Sequence, residues 1–360
     1  MIEVIKRSGA KEPYNGEKIV IAIKGAFSDV DSNVQSGVFA ELLASVEEEI
    51  DARNAKSVED IQDIVEESLM KQGYFAEAKA YILYRHKRAE LRGVRSDIVD
   101  AVMGQCSLCD VEAERDRLGL DACLAKLQKD FSGEEYALSA LSAKFKSFIK
   151  TDMSIDERLE SLTRAAVELT TQEAPKWEFI AARILLFSFR RTLALNCASR
   201  GIETFYDKIL WLTDQDLYGA YILQHYTRAE IEEAEGFLRP ERDELFTYSG
   251  LDLLLKRYVI TTRQHVAIES PQEMFLGIAL HLAMEEKNDR MGWVRKFYDM
   301  LSKLEVTMAT PTMSNARKPH HQLSSCFIDT VPDSLDGIYR SIDNFAQVSK
   351  FGGGMGMYLG

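Results

Sequence analysis

The sequence has no excess of positive charge and no long apolar run. Its 360 residues carry 57 acidic and 44 basic side chains, for a formal net charge of −13, which argues against indiscriminate binding to nucleic acid. No segment approaches the roughly 18 apolar residues that a membrane span needs. The opening MIEVIKRSG also lacks the apolar core of a secretory signal. We therefore expect a soluble, cytoplasmic protein with no membrane or nucleic-acid partner.

Cysteine is scarce as well. The five cysteines, at positions 106, 109, 123, 197 and 326, are too few and too scattered for a disulfide framework, so reduced thiols are expected. Cys106 and Cys109 form one Cys-x-x-Cys, but a structural zinc site needs two further ligands and no usable pair follows. We interpret these two residues as ordinary linker thiols and predict no metal site.

The N-terminal part has the pattern of a hairpin followed by helices. A chain of this length is expected to form two or three units. Residues 2–14 alternate apolar and polar around Ser8-Gly9, which predicts a short β-hairpin. Asn15 can cap the helix that follows, and further helical patterns cover residues 37–53, 57–72 and 74–92. The apolar residues predicted to form the buried face of the first helix are Ile19, Ile23, Phe27 and Val30.

Two helical segments recur later in the chain. SVEDIQDIVEESL from Ser57 has a counterpart in SIDERLESLTRAAV from Ser154, and AKAYILYRHKR at 78–88 pairs with AARILLFSFRR at 181–191. The pattern favours two related helical units in tandem, although two amphipathic helix pairs could also resemble each other by chance. Residues 197–300 remain helical in pattern, and their aromatic side chains are typical of a core.

The helical sequence pattern ends at about Met308. Residues 306–332 contain three of the seven prolines, two adjacent histidines and Ser-Ser-Cys, followed by a predicted strand, CFIDTV. A glycine-rich segment, FGGGMGMYLG, closes the sequence. Glycines there indicate a backbone that needs conformational freedom, but the spacing matches neither a Walker motif nor G-x-G-x-x-G.

Two motifs could carry chemistry. Val4-x-Lys6-Arg7-x-Gly9 with Lys18 offers cations beside a tight turn and a helix start, as a triphosphate cradle would, although such a pair is more often solvated. The second, TPTMSNARKPHHQLSSC, ends in Cys326, which is either a reactive thiol or a buried inert one. The two adjacent histidines of this run point opposite ways on an extended chain, so we treat them as polar loop residues.

Taken together, these segments resemble one family. VIKRSG with Lys18 resembles the start of an ATP-cone. TPTMSNARKPHHQLSSCFIDTVPDSLDGIY and SKFGGGMG resemble the start of the ten-stranded α/β barrel of the ribonucleotide reductase large subunit. The resemblance implies a mainly α protein in four parts. They are an ATP-cone built of a β-hairpin and a helix bundle (1–92), a linker and first helices (93–130), an all-α N-terminal reductase domain that includes the cone-like repeat (131–305), and the incomplete start of the barrel (306–360).

Reduction of ribonucleoside diphosphates by radical chemistry is the activity that the resemblance implies. Cys326 would be the reducing thiol, which closes a disulfide with a second cysteine as the 2′-hydroxyl leaves. Thr310 and Ser325 would hold the substrate diphosphate and ribose, with Gly354 against the substrate. Asp333, Ser334 and Leu335 match the segment that contacts the specificity effector, a nucleoside triphosphate at the interface of a large-subunit homodimer.

The ATP-cone implies control by ATP, which permits activity, and dATP, which suppresses it, with Mg²⁺ as the expected companion ion. The residues that match nucleotide contacts are Lys6, Arg7, Glu12, Lys18 and Arg88. No cofactor is expected on this chain itself. Its implied partners are the remainder of the large subunit, a radical-generating small (beta) subunit, and thioredoxin or glutaredoxin as reductant.

The sequence departs from the family pattern in lacking the thiyl-radical cysteine with its glutamate, the disulfide partner of Cys326 and the C-terminal cysteine pair. We therefore expect a truncated form or one piece of a split large subunit of an aerobic, class I reductase, inactive alone. The alternative is a nucleotide-binding regulatory fragment without catalysis of its own. An ATP-cone transcriptional repressor is a third interpretation, but it would need a zinc ribbon before the cone, and no cysteine precedes Cys106.

Overall fold

Helices dominate the computed structural model, which describes residues 3–5, 11–32, 34–104 and 111–359. Contacts between backbone segments divide the chain into two compact units, residues 1–96 and 97–360. The expectation of a mainly α protein with a small N-terminal hairpin is confirmed.

The first unit begins with the predicted hairpin. Strand β1 (Glu3–Ile5) pairs antiparallel with β2 (Lys11–Pro13), while the predicted Ser8-Gly9 turn lies outside the described residues. The amide of Ile5 also donates to the carbonyl of Lys56 at 2.7 Å, which ties the hairpin to the start of the third helix. Four helices follow the hairpin: α1 (Gly16–Asp29), α2 (Ser36–Arg53), α3 (Val58–Lys71) and α4 (Phe75–Met103).

Capping and periodicity explain α1. The side chain of Asn15 accepts a hydrogen bond from the amide of Glu17 at 2.9 Å, so it satisfies one of the free donors at the helix start, as predicted. Ile19, Ile23 and Phe27 are buried, whereas Val30 follows the end of the helix and is half-buried. The helix therefore buries three of the four predicted apolar positions in the core of the unit.

Helix α4 is longer than predicted. The pattern indicated an end near Arg92, but the helix runs through Gly93 to Met103, and the division between the units falls at residue 96, inside this helix. Buried residues continue at helical spacing with Ile98, Val99 and Val102, which explains why the glycine does not end the helix.

The second unit contains the remaining helices and a parallel pair of strands. Strand β3 (Cys326–Val331) is the predicted CFIDTV strand, and it pairs in parallel with β4 (Gly354–Leu359). A helix connects the two strands. The helices are α5 (Val111–Asp130), α6 (Leu138–Lys146), α7 (Ile155–Glu168), α8 (Trp177–Ala198), α9 (Phe205–Asp214), α10 (Tyr221–His225), α11 (Arg228–Glu235), α12 (Tyr248–Arg257), α13 (Pro271–Ala283), α14 (Arg290–Ser302), α15 (Thr310–Asn315) and α16 (Leu335–Lys350).

The two segments that resemble each other in sequence also share local structure. Ser57 is the N-cap of α3 and Ser154 is the N-cap of α7. Each forms a capping box with the acidic residue three positions later. The helices that follow them, α4 and α8, each place an arginine on a carboxylate of the preceding helix, Arg85 on Asp63 and Arg191 on Asp156. A common origin of the two segments remains a hypothesis.

A fully buried ion pair lies in the core of the second unit. Arg317 and Glu269 are 0% and 1% exposed, and the guanidinium donates to both carboxylate oxygens, at 2.6 and 2.5 Å. Arg317 also donates to the carbonyls of Met313 and Tyr258, each at 2.8 Å. Glu269 accepts from the amide of Ile260 at 2.9 Å. The pair thus joins α15 to the segment after α12 and to the segment before α13.

We predict that Glu269→Gln destabilises the second unit strongly, because it leaves the Arg317 charge buried without its counterion. The expected loss in the free energy of unfolding is about 3–5 kcal/mol. Urea denaturation followed by tryptophan fluorescence measures it in this unit alone, since Trp177, Trp211 and Trp293 all belong to it.

Lys256→Gln is the matched control, because it removes an exposed ion pair with Asp252 from the same unit. Its expected effect is below about 1 kcal/mol. Equal, small effects of the two substitutions would contradict the structural importance of the buried pair.

Candidate functional site

The first unit contains a cavity of about 280 Å³ between the hairpin and three helices. Strand β2 and helix α1 form one wall, α3 a second and α4 a third. Its lining residues are Val4, Glu12, Pro13, Tyr14, Asn15, Lys18, Ile19, Ala22, Val58, Ile61, Gln62, Tyr81, Tyr84, Arg85, Arg88 and Arg92.

One face of α4 supplies most of the aromatic and cationic lining. Tyr81, Tyr84, Arg85, Arg88 and Arg92 are separated by three, one, three and four positions, which places them on one face of a helix. Tyr81 is buried, and burial raises its pKa to about 12, so it stays neutral at physiological pH. The guanidinium of Arg88 lies over the Tyr84 ring, 5.1 Å from its centroid.

Positive charge exceeds negative charge around this cavity. Lys18, Arg85, Arg88 and Arg92 face a single lining carboxylate, Glu12. Lys18 lies 3.8 Å from that carboxylate, with both side chains largely exposed, so the pair is weak and open to exchange. Arg85 is more firmly held, since carboxylates of α3 lie 2.5 and 2.8 Å from it.

The cavity can therefore accept a ligand with one flat apolar part and several negative charges. Apolar side chains and tyrosine rings line it together with guanidinium groups, which suit phosphate. Three residues predicted from the sequence, Glu12, Lys18 and Arg88, meet here. Lys6 and Arg7 lie outside the described residues. The sequence analysis missed the tyrosines and the other two arginines of α4, although their spacing within residues 81–92 is typical of one helix face.

A second group of predicted residues meets where β3 and β4 begin. Cys326 is paired in register with Gly354, and the amide of Gly354 donates to the carbonyl of Ser325 at 2.7 Å. The Ser325 hydroxyl lies 3.6 Å from the Cys326 sulfur. Strand pairing thus brings three predicted residues together although nearly thirty positions separate them in the sequence.

Thr310 approaches the same place from α15. Its methyl group would lie 3.7 Å from a β-carbon added at Gly352, and Gly352 has a φ of +81°, in the region that favours glycine. The Thr310 hydroxyl lies 3.3 Å from the hydroxyl of Tyr258. The threonine therefore borders the glycine turn that leads to Gly354, and Tyr258 is a neighbour that sequence reasoning missed.

Among the three cysteines that the structure describes, only Cys326 is exposed. Burial raises the pKa of Cys123 to about 11, and burial likewise raises the pKa of Cys197. These two thiols are therefore protonated and poorly reactive at neutral pH. Cys106 and Cys109 lie outside the described residues.

The adjacent histidines point apart, as predicted. The ring of His320 stacks on Phe351 with centroids 3.6 Å apart, whereas His321 contacts the Tyr221 ring at 4.6 Å. The His321 ring also lies next to the His281 ring. Burial, and to a smaller extent the charge of a protonated His321, lowers the pKa of His281 to about 4. The rings of the two adjacent histidines therefore contact different parts of the structure.

The residues predicted for a specificity effector lie at the other end of β3 from Cys326. Ser334 caps α16, because its hydroxyl accepts from the amide of Gly337 at 3.1 Å. Asp333 is exposed, and Leu335 is 73% exposed. Leu335 begins a row of exposed apolar side chains along α16 that continues with Ile338, Tyr339, Ile342 and Phe345.

The described residues form neither a metal-binding cluster nor a membrane-spanning helix. No three or more His, Cys, Asp or Glu side chains within the described ranges are grouped so that they could hold a metal ion. Among the helices in that part of the chain, none is both long and apolar enough to cross a membrane.

Three family models match separate parts of the chain. The ATP cone domain matches residues 2–90, the all-alpha domain of ribonucleotide reductase matches residues 244–321, and the barrel domain of ribonucleotide reductase matches residues 324–360. The first match contains every residue that lines the cavity except Arg92, and the other two contain Thr310, Ser325, Cys326 and Gly354.

Three curated relatives carry one name, ribonucleoside-diphosphate reductase subunit alpha. The protein from Treponema pallidum is 52% identical over 366 aligned positions, covering all of this chain and 42% of the relative. The protein from Chlamydia muridarum is 30% identical, covering 99% of this chain and 35% of the relative. The protein from Helicobacter pylori is 32% identical over 57% of this chain and 25% of the relative.

This chain spans less than half the length of each of these relatives. The matched regions nevertheless follow one another in the order expected from the sequence. The chain therefore belongs to the ribonucleotide reductase large-subunit family and corresponds to its ATP cone, its all-alpha domain and the beginning of its barrel domain.

Proposed function

We propose that the first unit binds ATP and dATP in its cavity and so regulates a ribonucleoside-diphosphate reductase. The observation that carries this proposal is the α4 face, where tyrosine rings and arginines line one cavity. The tyrosines and apolar side chains would hold the base, and Arg88, Arg92 and Lys18 would meet the phosphates. The carboxylate of Glu12 would accept from ribose or base, or share a Mg²⁺ ion with the triphosphate.

Regulation by this site requires that ATP and dATP act differently. The two ligands differ by one ribose hydroxyl, so the cavity must distinguish them through a polar group close to the sugar. Glu12, Asn15 and Gln62 are the lining residues with a carboxylate or amide group that could do so. ATP would permit activity and dATP would suppress it. Lys6 and Arg7 complete the proposed set of phosphate contacts.

The second unit would contribute the reducing half of the active site. Thr310 and Ser325 would hold the diphosphate and ribose through their hydroxyls, with Gly354 presenting open backbone to the substrate. Cys326 would donate reducing equivalents as the 2′-hydroxyl leaves as water, and its sulfur would form a disulfide with a second cysteine. That cysteine, and the thiyl cysteine that begins the reaction, would come from the remainder of the large subunit.

Partner proteins supply what this chain does not hold. A radical-generating small (beta) subunit would provide the radical chemistry, and thioredoxin or glutaredoxin would reduce the disulfide again. Asp333, Ser334 and Leu335 would contact a nucleoside triphosphate effector at the interface of a large-subunit homodimer. We place the complex in the cytoplasm, where thiols stay reduced.

A second candidate function is nucleotide binding without catalysis. It is favoured by the thiols of the described residues, since Cys326 is exposed and the other two are half-buried with raised pKa values. A dithiol reduction needs two reactive cysteines, and the described residues offer one exposed thiol, so in this second proposal the chain alone would act as a regulatory module.

We predict that Arg88→Ala weakens ATP and dATP binding to this chain by about tenfold to a hundredfold, because a charge-assisted hydrogen bond contributes about 1.5–3 kcal/mol. Isothermal titration calorimetry gives the dissociation constants. Lys79→Ala removes an exposed cation from the same helix outside the cavity and should leave them unchanged. Equal affinities of wild type and Arg88→Ala would remove Arg88 from the site.

We predict that Cys326→Ser in the complete large subunit, assayed with its small subunit, lowers reductase activity to background while the nucleotide affinity of the first unit is retained. Conversion of radiolabelled CDP to dCDP is the measurement. Cys197→Ala, which removes a thiol with a raised pKa, should keep most of the activity. A fully active serine variant would refute the role of Cys326.

A further inference from the structure

Asn315 lies where three segments of the proposed substrate site meet. It is the last residue of α15, the short helix that begins with Thr310. The side chain is buried, with an exposure of 9%. Sequence reasoning gave it no role, and the proposed mechanism does not use it.

Its side-chain amide bridges two backbone segments. The nitrogen donates to the carbonyl of Gln322 at 3.0 Å and to the carbonyl of Phe351 at 3.1 Å. An amide NH₂ has two hydrogens, so both are used, one on each segment. No other side-chain type of this size can donate twice from one uncharged nitrogen.

Each acceptor belongs to a segment that leads directly to a proposed site residue. Gln322 lies three positions before Ser325 and four before Cys326, and Phe351 lies three before Gly354. The two segments also touch directly, because the amide of Gly354 donates to the carbonyl of Ser325. Asn315 therefore sets the spacing of the two segments before the Gly354–Ser325 hydrogen bond. After that bond, the pairing of β3 with β4 sets the spacing.

Helix α15 is also held by contacts that do not involve the Asn315 side chain. Arg317 donates to the carbonyls of Met313 and Tyr258, and the Tyr258 hydroxyl reaches Thr310. The buried ion pair anchors the helix. The hydrogen bonds from the Asn315 amide therefore hold the two segments at a fixed position relative to the helix. A residue that only filled space there would leave two carbonyls without these donors.

We propose that Asn315 is a positioning residue that holds Ser325, Cys326 and the glycine turn in register with Thr310 for the nucleoside diphosphate substrate. This role rests on the proposed reductase function. Asn315 itself does not touch the substrate. The hydrogen bonds it donates keep the hydroxyls of Thr310 and Ser325 and the Cys326 sulfur at fixed separations, and misplacement of such groups lowers both binding and turnover.

Asn315→Asp is the sharpest test because it keeps the shape and removes both donors. The carboxylate then faces two carbonyl oxygens, which repel it and raise its pKa. Protonation restores one donor. In the complete enzyme at pH 8 we expect KM for CDP to rise about tenfold, and we expect the activity relative to wild type to recover as the pH falls toward 6.

Asn196→Asp is the matched control, since Asn196 is half-buried in the same unit and donates to the carbonyl of Ala267 at 3.4 Å. It should change neither KM nor the pH profile. A purely structural role of Asn315 would lower the urea midpoint of Asn315→Asp while its KM stays at the wild-type value. That result would overturn the proposal.

Hydrogen exchange on this chain separates the inference from the proposed function. In Asn315→Asp the amide of Gly354 and the peptides spanning residues 322–326 and 351–354 should exchange at least several-fold faster than in wild type and in Asn196→Asp. Unchanged exchange would refute the bridge whatever the enzyme does. Faster exchange, combined with a wild-type enzyme that does not reduce CDP, would keep the bridge and refute the reductase function.

Discussion

The buried ion pair between Arg317 and Glu269 is the constraint on which the second unit depends. Two charges without solvent are stable only if every polar atom around them is paired. Burial lowers the pKa of Arg317, but the adjacent carboxylate outweighs this and raises it overall, so the guanidinium stays charged. Its remaining donors fix the backbone at Met313 and Tyr258, and those two contacts set where α15 lies.

The position of α15 determines the geometry of the proposed reduction site. Its first residue, Thr310, reaches Tyr258 and the glycine turn, and its last residue, Asn315, reaches the segments before Cys326 and Gly354. The chain thus positions a thiol, two hydroxyls and an open backbone by hydrogen bonds from one short helix. Such rigidity suits a reaction in which the sulfur must remain close to one carbon of the sugar.

The cavity of the first unit has a different character. Its lining cations lie on faces of α1 and α4, and the Lys18–Glu12 pair is exposed and weak. A ligand with several negative charges can replace that pair without breaking a buried network. A site of this kind suits an effector that must bind and leave as nucleotide concentrations change, whereas a site held by buried ion pairs suits catalysis.

Local patterns in the sequence predicted the hairpin strands, the Asn15 cap, strand β3 and the opposite directions of His320 and His321. These features depend on neighbouring residues, so periodicity and capping rules suffice. The length of α4 was underestimated because Gly93 was given too much weight against the buried residues that follow it. The resemblance supplied Glu12, Lys18 and Arg88, which one cavity brings together.

The missed features all join distant segments. Arg317 stood in a loop-like run, and nothing near it in sequence reveals that Glu269, almost fifty positions earlier, is its partner. Asn315 stood in the same run, and its two acceptors come from other segments. Only the aromatic and cationic face of α4 had a local signal, the spacing of Tyr81, Tyr84, Arg85, Arg88 and Arg92.

The central claim is that the nucleotide effector binds in the first unit, against α4 and α1. Photolabelling of this chain with 8-azido-ATP, followed by mass spectrometry of the labelled peptides, tests it most directly. The account predicts label within residues 11–22 or 58–92, protected by excess ATP. Protectable label confined to residues 97–360 would contradict it.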